Sequence, residues 1–184
     1  MDPELLAKVP AKTAQEVCAR YQPSRAAAEA LQNGLTPGQF VETLAQAKKY
    51  QDAMEFFIHA LSPREAVWWA CLAIRHAHGQ TLPPKEQAAL KAAVEWVLEP
   101  DEPKRRAARG AAEASGFDTP AGCAALAAGC VSSDQSFPLT RAVANALAMS
   151  CAKVERQIVP ALHRELFELG LAIAKGKAAW PNAN

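Results

Sequence analysis

From Ala66 to Ile74 nine consecutive residues carry no polar side chain. An amphipathic surface helix shows polar residues on one face throughout its length. The run therefore predicts a helix with neighbours on most sides. Ser62 stands ahead of it as an N-cap, and Pro63 takes the first helical position, where a missing N–H costs nothing. Glu65 follows Ser62 at the spacing of a capping box. The adjacent Trp68 and Trp69 point about 100° apart around the axis. Both are expected in the core, anchored against two different helices; an exposed aromatic hot spot is the alternative. The run is too short for a membrane span, which takes about 20 apolar residues.

Apolar residues recur every three to four positions through most of the remaining chain. Phe40, Val41, Leu44 and Ala47 follow the start signal Thr36-Pro-Gly-Gln39. Tyr50–Leu61 reads as a helix with Ala53, Met54, Phe57 and Leu61 inward. Leu90, Val94, Val97 and Leu98 line the inner face of a helix opened by Pro83 or Pro84. Leu139, Val143, Leu147, Cys151 and Val154 predict a helix from Pro138 to about Arg156. Leu162, Leu166, Leu169 and Ile173 predict a last one from Pro160, stopped by Gly176. Shorter helices are expected after Thr13, over Ser24–Gln32 with Asn33-Gly34 as its end, over Lys104–Ala114, and over Gly122–Gly129. Val131–Ser136 reads as a polar loop. No run alternates as a strand does.

The pattern predicts an all-α protein, an irregular multi-helix bundle of about nine or ten short helices with short links. A tetratricopeptide-like helical repeat is the alternative. Start signals at Thr36, Ser62, Pro83 and Pro120 lie 26, 21 and 37 residues apart, against a tetratricopeptide period of about 34. Residues 1–176 read as a single helical domain and residues 177–184 as a C-terminal tail.

Composition sharpens this picture. The 41 alanines favour helix and let helices approach closely. The net charge is +1, from 20 basic and 19 acidic residues. A nucleic-acid-binding domain shows a basic excess or stripe, so no nucleic-acid partner is expected. The start MDPELLAKVPAK has acidic residues and no apolar segment, unlike a secretory leader. A cytoplasmic protein without a membrane partner is expected. Five scattered cysteines then read as free thiols.

Tests for chemistry come out negative. His76 and His78 are two apart, where a helical zinc pair needs a spacing of four. Glu55 and His59 do have that spacing and read as a surface or half-buried pair. His163, Glu165 and Glu168 lack the Glu-x-x-His pattern of di-iron helices. Cys123 and Cys130 are not in redox spacing. No catalytic residue, metal ligand or cofactor is therefore expected. The alternative is an enzyme or small-ligand-binding protein whose site forms only in three dimensions. Lys104, Arg105, Arg106 and Arg109 make a basic cluster among Glu99, Asp101, Glu102 and Glu113. A solvated face with local pairing is the simplest reading. Arg105, Arg106 and Arg109 are the candidates for contact with an acidic partner. The structural core is expected at Trp68, Trp69, Phe57 and Ile74.

The segment Phe40–Arg75, above all LSPREAVWWACL at Leu61–Leu72, resembles an uncharacterised bacterial all-helical family associated with type VI secretion gene clusters. Effectors and spike proteins of such clusters travel with small adaptors or chaperones. The resemblance implies a non-catalytic cytoplasmic interaction protein whose partner is another protein, a secreted effector or a spike component. It carries over no catalytic residue.

Overall fold

The computed structural model describes residues 6–79, 81–131, 136–152 and 154–178. Among the described residues ten helices occur, in the order α1 (Ala14–Cys18), α2 (Arg25–Ala30), α3 (Pro37–Gln46), α4 (Tyr50–Ala60), α5 (Pro63–His78), α6 (Pro84–Leu98), α7 (Glu102–Ser115), α8 (Pro120–Gly129), α9 (Ser136–Ala152) and α10 (Val159–Ala174). Among the described residues there is no strand. The fold class is an all-α multi-helix bundle, as the apolar periodicity predicts. Helix length runs from 5 to 17 residues.

Polar caps set the starts of α1, α2, α3, α7 and α8. The first backbone N–H groups of a helix have no partner within it, and a capping oxygen supplies one. Thr13 accepts from Glu16 N at 3.3 Å, Ser24 from Ala27 N at 3.1 Å, and Thr119 from Gly122 N at 3.0 Å. Thr36 accepts from Gln39 N at 3.2 Å, and Gln39 Oε1 accepts from Thr36 N at 2.9 Å. That is the full reciprocal box expected there.

Several boundaries depart from the expected ones. α2 stops at Ala30 rather than Gln32, and Gly34, with φ of 80°, sits in the turn beyond it. α8, by contrast, begins at Pro120 as its start signal predicts, with Thr119 as cap and the proline at the first position, so the helix takes in the two residues ahead of Gly122. α9 runs from Ser136 to Ala152 and stops short of Arg156. The polar run Glu155-Arg156-Gln157 offers no side chain to bury. Of the expected 131–136 loop, residues 132–135 lie outside the described residues, as does the tail from residue 179.

The described residues form two compact units, residues 6–62 with 163–178, and residues 63–162. The first holds α1 to α4 and most of α10. Its core is aromatic. Phe40 meets Phe56 edge-on at 5.1 Å, and Phe57 stacks on Phe167 at 5.9 Å. Offset and edge-on pairs of this kind add to the stabilisation from burial.

The second unit holds α5 to α9. α5 packs against α6, α8 and α9, and α8 packs against α5, α6, α7 and α9. Nine of the ten residues of α8 are buried, and almost all are alanine or glycine. Small side chains let neighbouring helices come close. A methyl group on Gly129 would sit 2.8 Å from Arg109 Cβ, and one on Gly122 would sit 1.9 Å from the Gly116 carbonyl oxygen. α7 and α8 therefore meet backbone to backbone, and this contact positions the face described next.

Candidate functional site

α7 carries Lys104, Arg105, Arg106 and Arg109 in under two turns. Asp101 caps the helix, accepting from Lys104 N at 2.7 Å. The Lys104 ammonium bridges Glu99 and Asp101. These contacts hold the Asp101 carboxyl below the usual carboxylate range, first through the Lys104 backbone N–H. They hold the Lys104 ammonium above its ordinary value, first through Glu99.

The three arginines do different things. Arg105 grips Glu102 with two parallel hydrogen bonds, Nε to Oε2 at 2.6 Å and Nη2 to Oε1 at 2.7 Å. Its Nη1 donates to the Gly129 carbonyl at 2.8 Å. That carbonyl belongs to the last turn of α8, where no intrahelical donor remains. Arg105 thus ties the start of α7 to the end of α8, and its side chain is only 26% exposed. The pairing lowers the Glu102 carboxyl and raises the Arg105 guanidinium from their ordinary values. Arg106 and Arg109 face outward, 69% and 55% exposed. Arg106 lies 3.9 Å from Glu102, and Arg109 lies 3.5 Å from Glu113. Glu102, Arg106, Arg109 and Glu113 therefore form one charged stripe at helical spacing.

Beside that stripe the helix surface is small. Ala107, Gly110 and Ala114 are exposed, and a methyl group on Gly110 would meet nothing within 4 Å. Past the end of α7 stands Phe117, 53% exposed. The turn beneath it is firmly built. Gly116 takes φ of 89°, Thr119 Oγ1 donates to the Gly116 carbonyl at 3.2 Å, and the Cys123 thiol donates to the Phe117 carbonyl at 3.2 Å. Nothing in the apolar periodicity marks position 117 as exposed. The available clue was a large apolar residue between a helix-stopping Gly116 and the start signal Asp118-Thr-Pro120.

The four residues expected in the core are buried. Trp69, Ile74 and Phe57 are fully covered and Trp68 nearly so. Trp68, Trp69 and Ile74 lie on α5, in the second unit, and Phe57 lies on α4, in the first.

The first unit contains a second polar cluster. His59 Nε2 lies 3.3 Å from Glu55 Oε1, as the spacing predicts. The Tyr21 ring stacks on the His59 ring at 4.5 Å, 5° from parallel, and the Tyr21 hydroxyl meets Cys18 Sγ at 3.8 Å. Burial raises the Tyr21 hydroxyl and the Cys18 thiol. Tyr21 and Cys18 are far from His59 in the chain, and no local spacing connects them.

All five cysteines are free thiols. Burial raises Cys123 and Cys151, and pushes Cys71 up to about 12. Raised thiols are poor nucleophiles. Among the described residues no three His, Cys, Asp or Glu side chains are grouped to hold a metal ion. Among them, too, no helix is long and apolar enough to cross a membrane.

Residues 40–174 match a family of unknown function, DUF6931. No curated protein and no solved structure matches the chain.

Proposed function

The chain belongs to the family of unknown function DUF6931, and on that footing we propose that it is a non-catalytic interaction protein, an adaptor or chaperone that holds another protein. The observation that carries this reading is the outer face of α7. There an exposed Phe117 stands at the end of a small-residue surface flanked by Arg106 and Arg109. Large aromatic and arginine side chains are the residue types that dominate protein interfaces. Small residues beside them admit a close-packed partner helix. The partner in this reading is a secreted effector or spike component of a bacterial type VI secretion system, met in the cytoplasm. Support for the secretion link is the likeness of Leu61–Leu72 to proteins of such clusters.

Affinity purification from the native bacterium tests the proposal. Wild-type protein is expected to recover a secretion-system protein. Phe117→Asp is expected to weaken recovery by more than ten-fold, the order of a lost interface hot spot. The double variant Arg106→Glu/Arg109→Glu should weaken it to a smaller extent. Arg105 is the wrong probe, since its change also unties α7 from α8. Recovery of the wild type alone, or unchanged recovery by Phe117→Asp, overturns the reading.

A further inference from the structure

The outer face of α7 carries a seam at regular spacing. Pro103, Ala107, Gly110 and Ala114 are all exposed. They lie four, three and four residues apart, the alternation that keeps one line of a helix against a second helix. The inner face of α7 shows how near a helix comes to such small residues. There Ala108 and Ala112 are covered, and Gly129 of α8 has no room for a methyl group against Arg109. On the outer face a methyl group on Gly110 would meet nothing within 4 Å.

Small residues alone do not name an occupant, but the charges beside them do. Arg106 and Glu113 stand one residue ahead of Ala107 and Ala114 and flank the seam on one side. Their side chains are 69% and 58% exposed. A second α7 laid antiparallel along the seam brings Gly110 of each copy against Ala107 of the other, and Ala114 against Pro103. In that register Arg106 of each copy faces Glu113 of the other, so symmetry gives two pairs of opposite charge. On the far side of the seam Lys104 faces Ala111, and no like charges meet. Phe117 of each copy comes level with the exposed Pro100 of the other. A parallel pair loses both attractions, because Arg106 then lies beside Ala111 and Glu113 turns toward Asp118. Helix dipoles favour the antiparallel arrangement as well.

We infer that α7 is a self-association surface, through which two copies of this chain pair about a two-fold axis with Arg106 of each against Glu113 of the other. A two-fold contact uses the same patch on both copies, and this seam with its two charges is complementary to itself. The helix has 14 residues and a length of about 21 Å. So short a contact belongs to the small, weak class of interfaces, with association in the micromolar range. The inference shares a face with the proposed function but does not depend on an effector. It adds that the effector must displace the second copy to reach Phe117.

Sedimentation velocity of the purified full chain at low salt tests it. The mass is expected to rise from 19.7 kDa toward twice that value as concentration goes from about 1 to about 500 μM. Gly110→Lys puts a long charged side chain into the seam and is expected to keep the chain monomeric throughout. Position 110 is open in the single copy and lysine is the better helix former, so this variant should melt no lower than the wild type. Arg106→Glu and Glu113→Arg each turn two attractions into repulsions and should weaken pairing by about five- to ten-fold. The double variant Arg106→Glu/Glu113→Arg restores opposite charges and should pair within about two-fold of the wild type. A chain that stays at 19.7 kDa throughout overturns the inference. So does a dimer that tolerates Gly110→Lys, or a double variant that pairs no better than the single ones. None of these results touches the effector reading, which is judged by capture and not by mass.

Discussion

Trp69 shows what one residue tells in sequence and in structure. Its place in an unbroken apolar run marks it for the core, and it is fully buried. Emptying such a site removes the transfer free energy and leaves a cavity. Trp69→Ala is expected to cost about 3–5 kcal/mol in urea unfolding. A loss below about 1 kcal/mol, or no loss, would contradict the packing described. Glycines were less legible, since the letter alone does not say whether a methyl group fits. Gly110 lies mid-helix in open space, so Gly110→Ala should stabilise by about 0.5–1 kcal/mol. Gly129 lies against the Arg109 backbone, so Gly129→Ala should destabilise by about 1–3 kcal/mol. Thermal melts of the two variants should move in opposite directions. Phe117 was illegible for a related reason: exposure depends on which turn residues hold the backbone, here Thr119 and Cys123.

At the scale of elements, helix starts were the most legible feature, because a cap is a local event. Thr36 with Gln39 is the clearest case. Which helix lies innermost was not legible in the same way. α5 announces itself with large side chains, whereas α8 lies among four neighbours with little beyond alanine and glycine. Its burial follows from closeness of approach, which periodicity does not report. α7 combines both lessons. Its charges are legible, but the tie from Arg105 to the Gly129 carbonyl is a tertiary contact. The start of α7 should also be acid-sensitive. Asp101 and Glu102 have folded values below the ordinary carboxylate range. Their stabilisation is complete above that range and is lost as pH falls through the folded values. His163 acts in the same direction, since burial lowers its folded value and protonation opposes the fold below about pH 6.5. Melting temperature is expected to begin falling below about pH 6.5 through His163 and to fall further between about pH 5 and pH 2 through Asp101 and Glu102, and Asp101→Asn should make that lower fall smaller. An Asp101→Asn protein with the wild-type acid dependence would remove Asp101 from this account.

Across the whole molecule, residues 163–178 join a unit whose other members end at Ser62. Such a return leaves no mark on local periodicity, whereas the all-α class does. Net charge is a property of this scale and was legible outright, at +1. Long-range steering of a charged partner is weak for a nearly neutral protein. Locally, the outward charges of α7 also balance, Arg106 and Arg109 against Glu102 and Glu113. Exposed pairs of this kind contribute little and are screened by salt over about 8–10 Å. The interface proposed at Phe117 would therefore draw its strength from apolar burial, which salt does not screen. Partner capture is expected to change by less than about three-fold between 50 and 300 mM salt. Phe117→Asp should reduce it more than ten-fold at both. Capture that collapses with salt, with Phe117→Asp close to wild type, would move the binding energy from the aromatic residue to the arginines.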